Sequence, residues 1–283
     1  MNGRIKIIVS MLIWGSVGIF ARFSNLSGLG VAFFRVSLGA LVLFLVFGAG
    51  KKTWIINIRK SLKEKQKALV ALGIALALNW VFLFTAFNYT TIAKAVLVYY
   101  LAPVIATLIS WRFLGERLTV KRWALVGLAF FGLLLIMSGE EMNFNDRDFL
   151  GIIFALTAAF FYALIPNLGR FLRNVDSSVL TFLQLAIASM VLAPFIVVSG
   201  VGNPVWWAVT VLVIVHTAFA LLIYMDGLKE VEVNEAAILS YLDPLSAVVY
   251  AFIVFSEVPE LRTVIGGALI LLASLLDIWA RGS

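Results

Sequence analysis

Tyr100-Leu101-Ala102-Pro103 opens a stretch that runs apolar to Gly115-Glu116, and Tyr241-Leu242-Asp243-Pro244 opens another that runs apolar to Ser256-Glu257. The proline-to-glutamate spacing is the same in both. One offset, 141 residues (244 − 103), also pairs Ala95 with Ala236 and Ala106 with Ala247. Each copy lies in an apolar segment of membrane length, preceded by about three such segments and followed by one. Two tandem units with an odd number of spans must sit in a bilayer upside down relative to each other. In that arrangement a polar site forms between the halves near the midplane.

Composition points to the same solvent. Of 283 residues, 63% are hydrophobic and only 13% charged, and the mean hydropathy is +1.05. A soluble domain carries about 25% charged residues. The connecting segments are too short for a soluble catalytic domain. The absence of cysteine excludes disulfides, thiol nucleophiles and thiolate metal sites. With His216 the single histidine, neither metal nor cofactor is expected. The net charge of +7 falls mostly in loops on one side of the membrane, so it implies no nucleic-acid partner. Arg4 and Lys6 precede an apolar run without a small-residue cleavage site. That run reads as an uncleaved first helix.

Ten stretches are long enough to span: roughly 5–23, 31–48, 68–88, 93–112, 120–138, 149–168, 177–199, 205–225, 235–255 and 261–280. Helices are required, because lipid offers the backbone no hydrogen-bond partner. The expected fold is an all-α integral membrane protein. Its ten transmembrane helices form two inverted five-helix repeats, 1–139 and 148–283, around a central cavity. The acidic connector from Gly139 to Asp146 separates them. Lys51, Lys52, Arg59, Lys60, Lys63, Lys65, Lys67, Arg112, Arg117, Lys121, Arg122, Arg170 and Arg173 fall on one side together with Arg4 and Lys6. The rule that basic loops stay inside therefore places both termini in the cytoplasm, with the chain in the plasma or inner membrane. Weaker matches pair Trp14 with Tyr162 and Arg35 with Gln184.

Several residues stand out within the spans. Pro103 and Pro244 delete backbone donors and free the carbonyls of Tyr99 and Ser240. They read as matched kinks lining a pathway, or as packing kinks alone. Asp243 lies about 12 Å into the ninth helix at 1.5 Å per residue. A carboxylate there costs about 2.5–3.5 kcal/mol on insertion scales. It is a candidate for proton coupling or cation binding, or a cap for freed backbone groups. Lys94 and Glu235 begin the fourth and ninth helices at matched positions, and inversion puts them at opposite mouths as gate or coupling candidates. Arg35 is expected to snorkel to the outer interface. Thr119 or Glu116 is expected to cap the fifth helix and Glu257 the tenth, and His216 to be a satisfied structural histidine. Asn79, Trp80, Tyr100, Tyr162, Asn167, Tyr224 and Tyr241 carry polar tips that need a wet cavity. Gly127, Gly132, Gly266 and Gly267 permit close helix approach, in a monomer or a weak homodimer. No phosphate-binding loop, GxSxG or HExxH motif occurs.

At Trp14-Gly15-Ser16, Arg35, Ala95 through Pro103, Leu114-Gly115-Glu116-Arg117-Leu118-Thr119, and Tyr241-Leu242-Asp243-Pro244 through Glu257, the chain resembles the drug/metabolite transporter superfamily. It is similar to the ten-helix members with two EamA-type repeats, over essentially its whole length. Members export amino acids or other metabolites, exchange nucleotide sugars or sugar phosphates, or move drugs and cations. The resemblance to bacterial amino acid exporters implies that Trp14, Asn79, Trp80, Leu83, Tyr100 and Ala102 line the cavity. Aromatic amino acid exporters carry an aromatic residue where Ala102 stands.

The expected activity is alternating-access transport of a small-molecule substrate, an amino acid or related zwitterion, with export implied by the resemblance. The expected substrate contacts are Trp14, Asn79, Trp80, Leu83, Lys94, Tyr100, Ala102, Tyr162, Tyr241 and Asp243. Proton coupling, exchange and facilitated diffusion all stay open. A nucleotide-sugar or sugar-phosphate exchanger would need several converging cations, and only Lys94 and Arg35 are available. An intramembrane enzyme would need a second aspartate beside Asp243 or a motif serine for His216.

Overall fold

The computed structural model describes residues 2–48, 52–114, 119–138, 146–172, 174–228, 230 and 239–282, and every regular element among them is helical. Glu235, Glu116 and the connector residues from Gly139 to Asn145 lie outside the described residues. In chain order the helices are α1 (Gly3–Gly15), α2 (Val17–Phe23), α3 (Gly28–Leu43), α4 (Lys52–Tyr89), α5 (Ile92–Tyr99), α6 (Ala102–Leu114) and α7 (Val120–Met137). Then follow α8 (Arg147–Phe171), α9 (Ser177–Ser199), α10 (Trp206–Val213), α11 (Ala220–Leu228), α12 (Leu242–Phe255) and α13 (Leu261–Gly282). Wide-turn π segments, Phe44–Gly48 and Ile214–Phe219, extend α3 and join α10 to α11. Grouped by continuity, the described helices make ten spans. Span one is α1 with α2, span four α5 with α6, and span eight α10 with α11.

The helix starts follow from local chemistry. Asn2, Ser27, Thr91, Thr119 and Asp176 each accept a backbone N–H of the following first turn, the donors a helix leaves unpaired. Thr119 thus caps span five as expected. Span seven ends at Gly200, whose φ of 72° is a left-handed conformation that glycine adopts freely. Span nine ends at Ser256 with φ 55°.

Among the described residues, six helical stretches are long and apolar enough to cross a bilayer, Gly3–Phe23, Gly28–Gly48 and Arg147–Ile165 being three of them. The outward faces are apolar too: Val197, Val198, Ile253 and Met190 are between 68% and 89% exposed. Such faces are stable only against lipid. This is a multi-pass membrane protein.

Residues 52–67, taken from sequence as a loop, are instead helical. α4 runs 38 residues with a non-helical break at Lys65 (φ −129°, ψ 22°). Straight, it would measure about 57 Å, roughly twice the hydrocarbon thickness. The stretch before the break contains neither proline nor glycine. It anchors through Trp54, which packs 5.0 Å from Phe182 and donates to Ser178 Oγ at 2.8 Å.

Cross-half packing has a two-fold pattern. Span three packs on spans six and seven, span two on seven and eight, and span one on eight and nine; span four packs on six, nine and ten, and span five on ten. Exchanging each span with the one five later maps this set onto itself, the contact of span four with span ten excepted. At the crossing of α7 and α13, Gly132 and Gly266 lie so close that a Cβ on either would sit 2.5 Å from the other's carbonyl oxygen. These two glycines pack against each other within the chain.

Candidate functional site

Both motif prolines sit at helix breaks. Span four stops at Tyr99 and restarts at Ala102; span nine restarts at Leu242 after a turn at Tyr241. Pro103 and Pro244 therefore occupy first turns of half-helices, where a missing N–H costs nothing, rather than kinks in continuous helices. The carbonyl freed by Pro244, that of Ser240, accepts the Tyr100 hydroxyl at 3.2 Å. Tyr100's own carbonyl accepts Ser274 Oγ at 3.3 Å.

Beside these breaks lies a cavity of about 320 Å³, within reach of spans one, two, three, four, six, seven, eight and nine. That volume lies within the range of small-molecule sites. Trp14, Asn79, Trp80, Leu83, Tyr100, Tyr162 and Asp243, each expected from sequence, line it. Tyr99 stacks on Tyr162 with centroids 5.0 Å apart at 19°, and Trp14 packs 5.1 Å from Tyr224. Tyr100 donates to Asp243 Oδ2 at 2.9 Å. Asn79 is partly spent on structure: its Nδ2 donates to Ala158 O at 2.9 Å and contacts the Tyr99 hydroxyl at 3.2 Å.

Three expected contacts do not line the cavity. Ala102 turns the other way and packs with Ala159 and Ala163 against span six. Lys94 is buried and bonds Asp148 at 2.9 Å across to span six; burying its ammonium demands a counter-charge. Tyr241 packs on Tyr100, ring centroids 5.9 Å apart, and is not among the lining residues.

The largest correction concerns Arg35. It does not snorkel. Span two begins at Gly28, capped by Ser27, so Arg35 stands about 10 Å along the helix at 1.5 Å per residue. It is 5% exposed and lines the cavity. Its guanidinium lies 4.1 Å over the Trp80 ring and 5.1 Å from that of Phe84, contacts that stabilise a desolvated cation by about 2 kcal/mol. Nε donates to Thr217 Oγ1 at 3.0 Å, and Nη2 lies 3.5 Å from His216 O. A charged residue inside a span is itself the signal that would have found it.

His216 and Thr217 also belong to the cavity wall. The π segment turns their groups inward. His216 O accepts Trp14 Nε1 at 2.8 Å, and its ring Nε2 meets Ser16 Oγ at 2.9 Å, where α1 gives way to α2. Gln184, the sequence partner of Arg35, lines the same cavity.

The sequence model of the EamA-like transporter family matches residues 1–138 and 149–278. The chain belongs to the EamA-like transporter family. Among its relatives is the uncharacterized transporter YxxF of Bacillus subtilis, 32% identical over 98% of this chain and 89% of the relative. A second, an uncharacterized transporter of Archaeoglobus fulgidus, is 30% identical over 98% of this chain and 96% of the relative. A protein of Rickettsia felis described as an S-adenosylmethionine uptake transporter is 22% identical over 99% and 96%. In fold, a crystal structure of a protein with 21% identity superposes with a TM-score of 0.65, covering 97% of this chain and 95% of that one. This EamA-like chain is thus a membrane transporter.

Proposed function

We propose that this EamA-like protein carries an amino acid or a related zwitterion outward across the cell membrane by alternating access. Its two halves, 1–139 and 148–283, act as inverted five-helix repeats with both termini in the cytoplasm. The observation that carries the reading is one aromatic-walled cavity presenting both a cation, Arg35, and an anion, Asp243. A phosphorylated or nucleotide-linked sugar would bring two or more negative charges to a single guanidinium and a carboxylate, a poor match. The two-fold pattern of cross-half contacts supports rocking of one half against the other.

The test is uptake and efflux by purified protein in liposomes, with and without a pH gradient. The panel holds the proteinogenic L-amino acids, S-adenosylmethionine because a Rickettsia relative bears that name, and UDP-glucose. Movement of one or more zwitterions is expected. Movement of UDP-glucose and no zwitterion would overturn the reading.

A further inference from the structure

Arg35 has more donors than the protein fills. Thr217 Oγ1 holds Nε and the His216 carbonyl lies at the limit of Nη2, while Nη1 has no hydrogen-bond partner among the described residues. No ion pair joins Arg35 to an acid among them either. A guanidinium 5% exposed and left without a counter-anion carries a desolvation cost that its ring contacts offset only in part. In the wall of the same cavity Asp243 is similarly half-used: Oδ2 accepts Tyr100, and Oδ1 has no partner among the described residues. Two opposite charges share a chamber and leave each other unpaired, each with one unused edge.

Geometry also explains why the cation is arginine. Stacking on Trp80 and the bond from Nε to Thr217 fix the plane of the guanidinium. Its remaining N–H fork then has one orientation, and such a fork matches the two oxygens of a carboxylate. A lysine ammonium would be a point charge without that plane.

We infer that Arg35 is the specificity-determining anchor for a free carboxylate on the transported molecule, with Trp80 and Thr217 holding the guanidinium in place and Asp243 receiving the substrate ammonium. This rests on the zwitterion reading above and sharpens it: the carboxylate must be ionised and unblocked. Esters and amides of the same amino acid keep the ammonium and side chain but offer Arg35 no anion.

The experiment uses the full-length protein in proteoliposomes, with L-leucine, L-methionine and L-phenylalanine as probes. Each is tested as competitor or counter-substrate beside its primary amide and its deaminated acid. In the wild type the amide of whichever amino acid is carried should compete about tenfold or more weakly, since a site built to bond a charged group rejects the analogue lacking it. R35Q should abolish this acid-over-amide preference while keeping any preference for the ammonium, and R35K should fall between. D243N should do the converse, removing discrimination against the deaminated acid. Should R35Q fail to fold, as judged by its elution profile, T217V with R35K supplies the same comparison, and the wild-type acid-to-amide ratio needs no variant.

A wild type that carries the acid and amide alike overturns the Arg35 assignment and leaves the transporter reading standing. So does an R35Q that keeps the preference. A wild type that takes none of the three amino acids in any form removes the zwitterion reading and this inference with it.

Discussion

The Tyr100 hydroxyl donates to Asp243 Oδ2 at 2.9 Å, so a residue of the first Tyr-Leu-x-Pro copy bonds directly to the variable residue of the second. The same hydroxyl reaches the Ser240 carbonyl that Pro244 frees, at 3.2 Å. One phenol therefore ties both half-helix breaks together at the cavity wall. Span four and span nine cannot separate at this depth without giving up these bonds.

That placement makes Asp243 the group to test for proton coupling. D243N keeps the shape and the Tyr100 contact but cannot release a proton. Movement driven by a pH gradient should vanish, while downhill counterflow, weakened by the lost ammonium contact, still proceeds at saturating substrate. Proton-driven accumulation at the wild-type rate would remove Asp243 from any coupling role. Y100F is the companion: it deletes the donor and should weaken substrate affinity about fivefold, for a bond of ~1 kcal/mol, measured by competition in counterflow.

Lys94 and Asp148 test a second assignment. The ammonium is buried and its partner is partly exposed, with side-chain exposures of 7% and 36%. Removing the acid takes away the charge bonded directly to the buried ammonium, so D148N should lower stability by about 1–3 kcal/mol, less than the 3–5 of a fully buried pair. Thermal unfolding in detergent reads this out. An unchanged melting temperature would show that Lys94 keeps its counter-charge elsewhere.

Much of the architecture was legible because a lipid solvent demands it. Long apolar runs gave the spans, and the repeated Tyr-Leu-x-Pro with its distant glutamate marked where spans four and nine are interrupted, although the prolines read as kinks and not as breaks. Asp243 and Tyr100 were readable for the same reason, since polar groups in hydrocarbon need a purpose. Arg35 was misjudged through a boundary: starting span two at residue 31 instead of Gly28 moved the guanidinium about one turn toward the interface. Ala102 was placed in the cavity by the resemblance alone, and a helix apolar all round carries no signal of its own for which face turns inward. The π segment at Ile214–Phe219, which turns His216 and Thr217 toward the cavity, leaves no compositional trace. Nor can Glu257 be placed by spacing alone. It was expected to cap span ten, yet α13 begins at Leu261, and the carboxylate bonds Arg22 and the Ile92 N–H at the start of α5 instead.

The glycine crossing gives a paired control for the packing argument. A Cβ at Gly132 would lie 2.5 Å from the Gly266 carbonyl oxygen, a backbone atom that cannot swing away. At Gly127, one helical surface away, a Cβ would meet nothing within 4 Å. G132A should therefore destabilise by about 1–3 kcal/mol, the usual cost of overpacking, while G127A should be neutral or slightly stabilising, since alanine favours the helix. Equal melting temperatures for the two variants would mean that α7 and α13 do not cross as closely as described.

Span one is clamped to the second half at both ends, and this makes it the element whose release should set access. At one end the Arg22 guanidinium bonds Glu257, just past the end of span nine, with the Phe87 and Thr90 carbonyls at 3.0 and 2.8 Å. At the other, Lys6 bonds Glu230 at 2.5 Å. The two basic residues lie about 24 Å apart along the helix, on opposite sides of the cavity. Alternating access requires that one clamp open while the other holds. E257Q weakens only the Arg22 clamp, and its amide oxygen can still accept the Ile92 N–H. Because the chain has no cysteine, a single Q184C in the cavity wall reports opening through its reaction with a membrane-impermeant maleimide. From the Arg22 side, labelling should rise about fivefold in E257Q, as for a partly buried ion pair worth ~1 kcal/mol. From the Lys6 side it should fall, because the two populations compete, and E230Q should reverse both changes. If E257Q raises labelling equally from both sides, the pair holds the fold together and gates nothing.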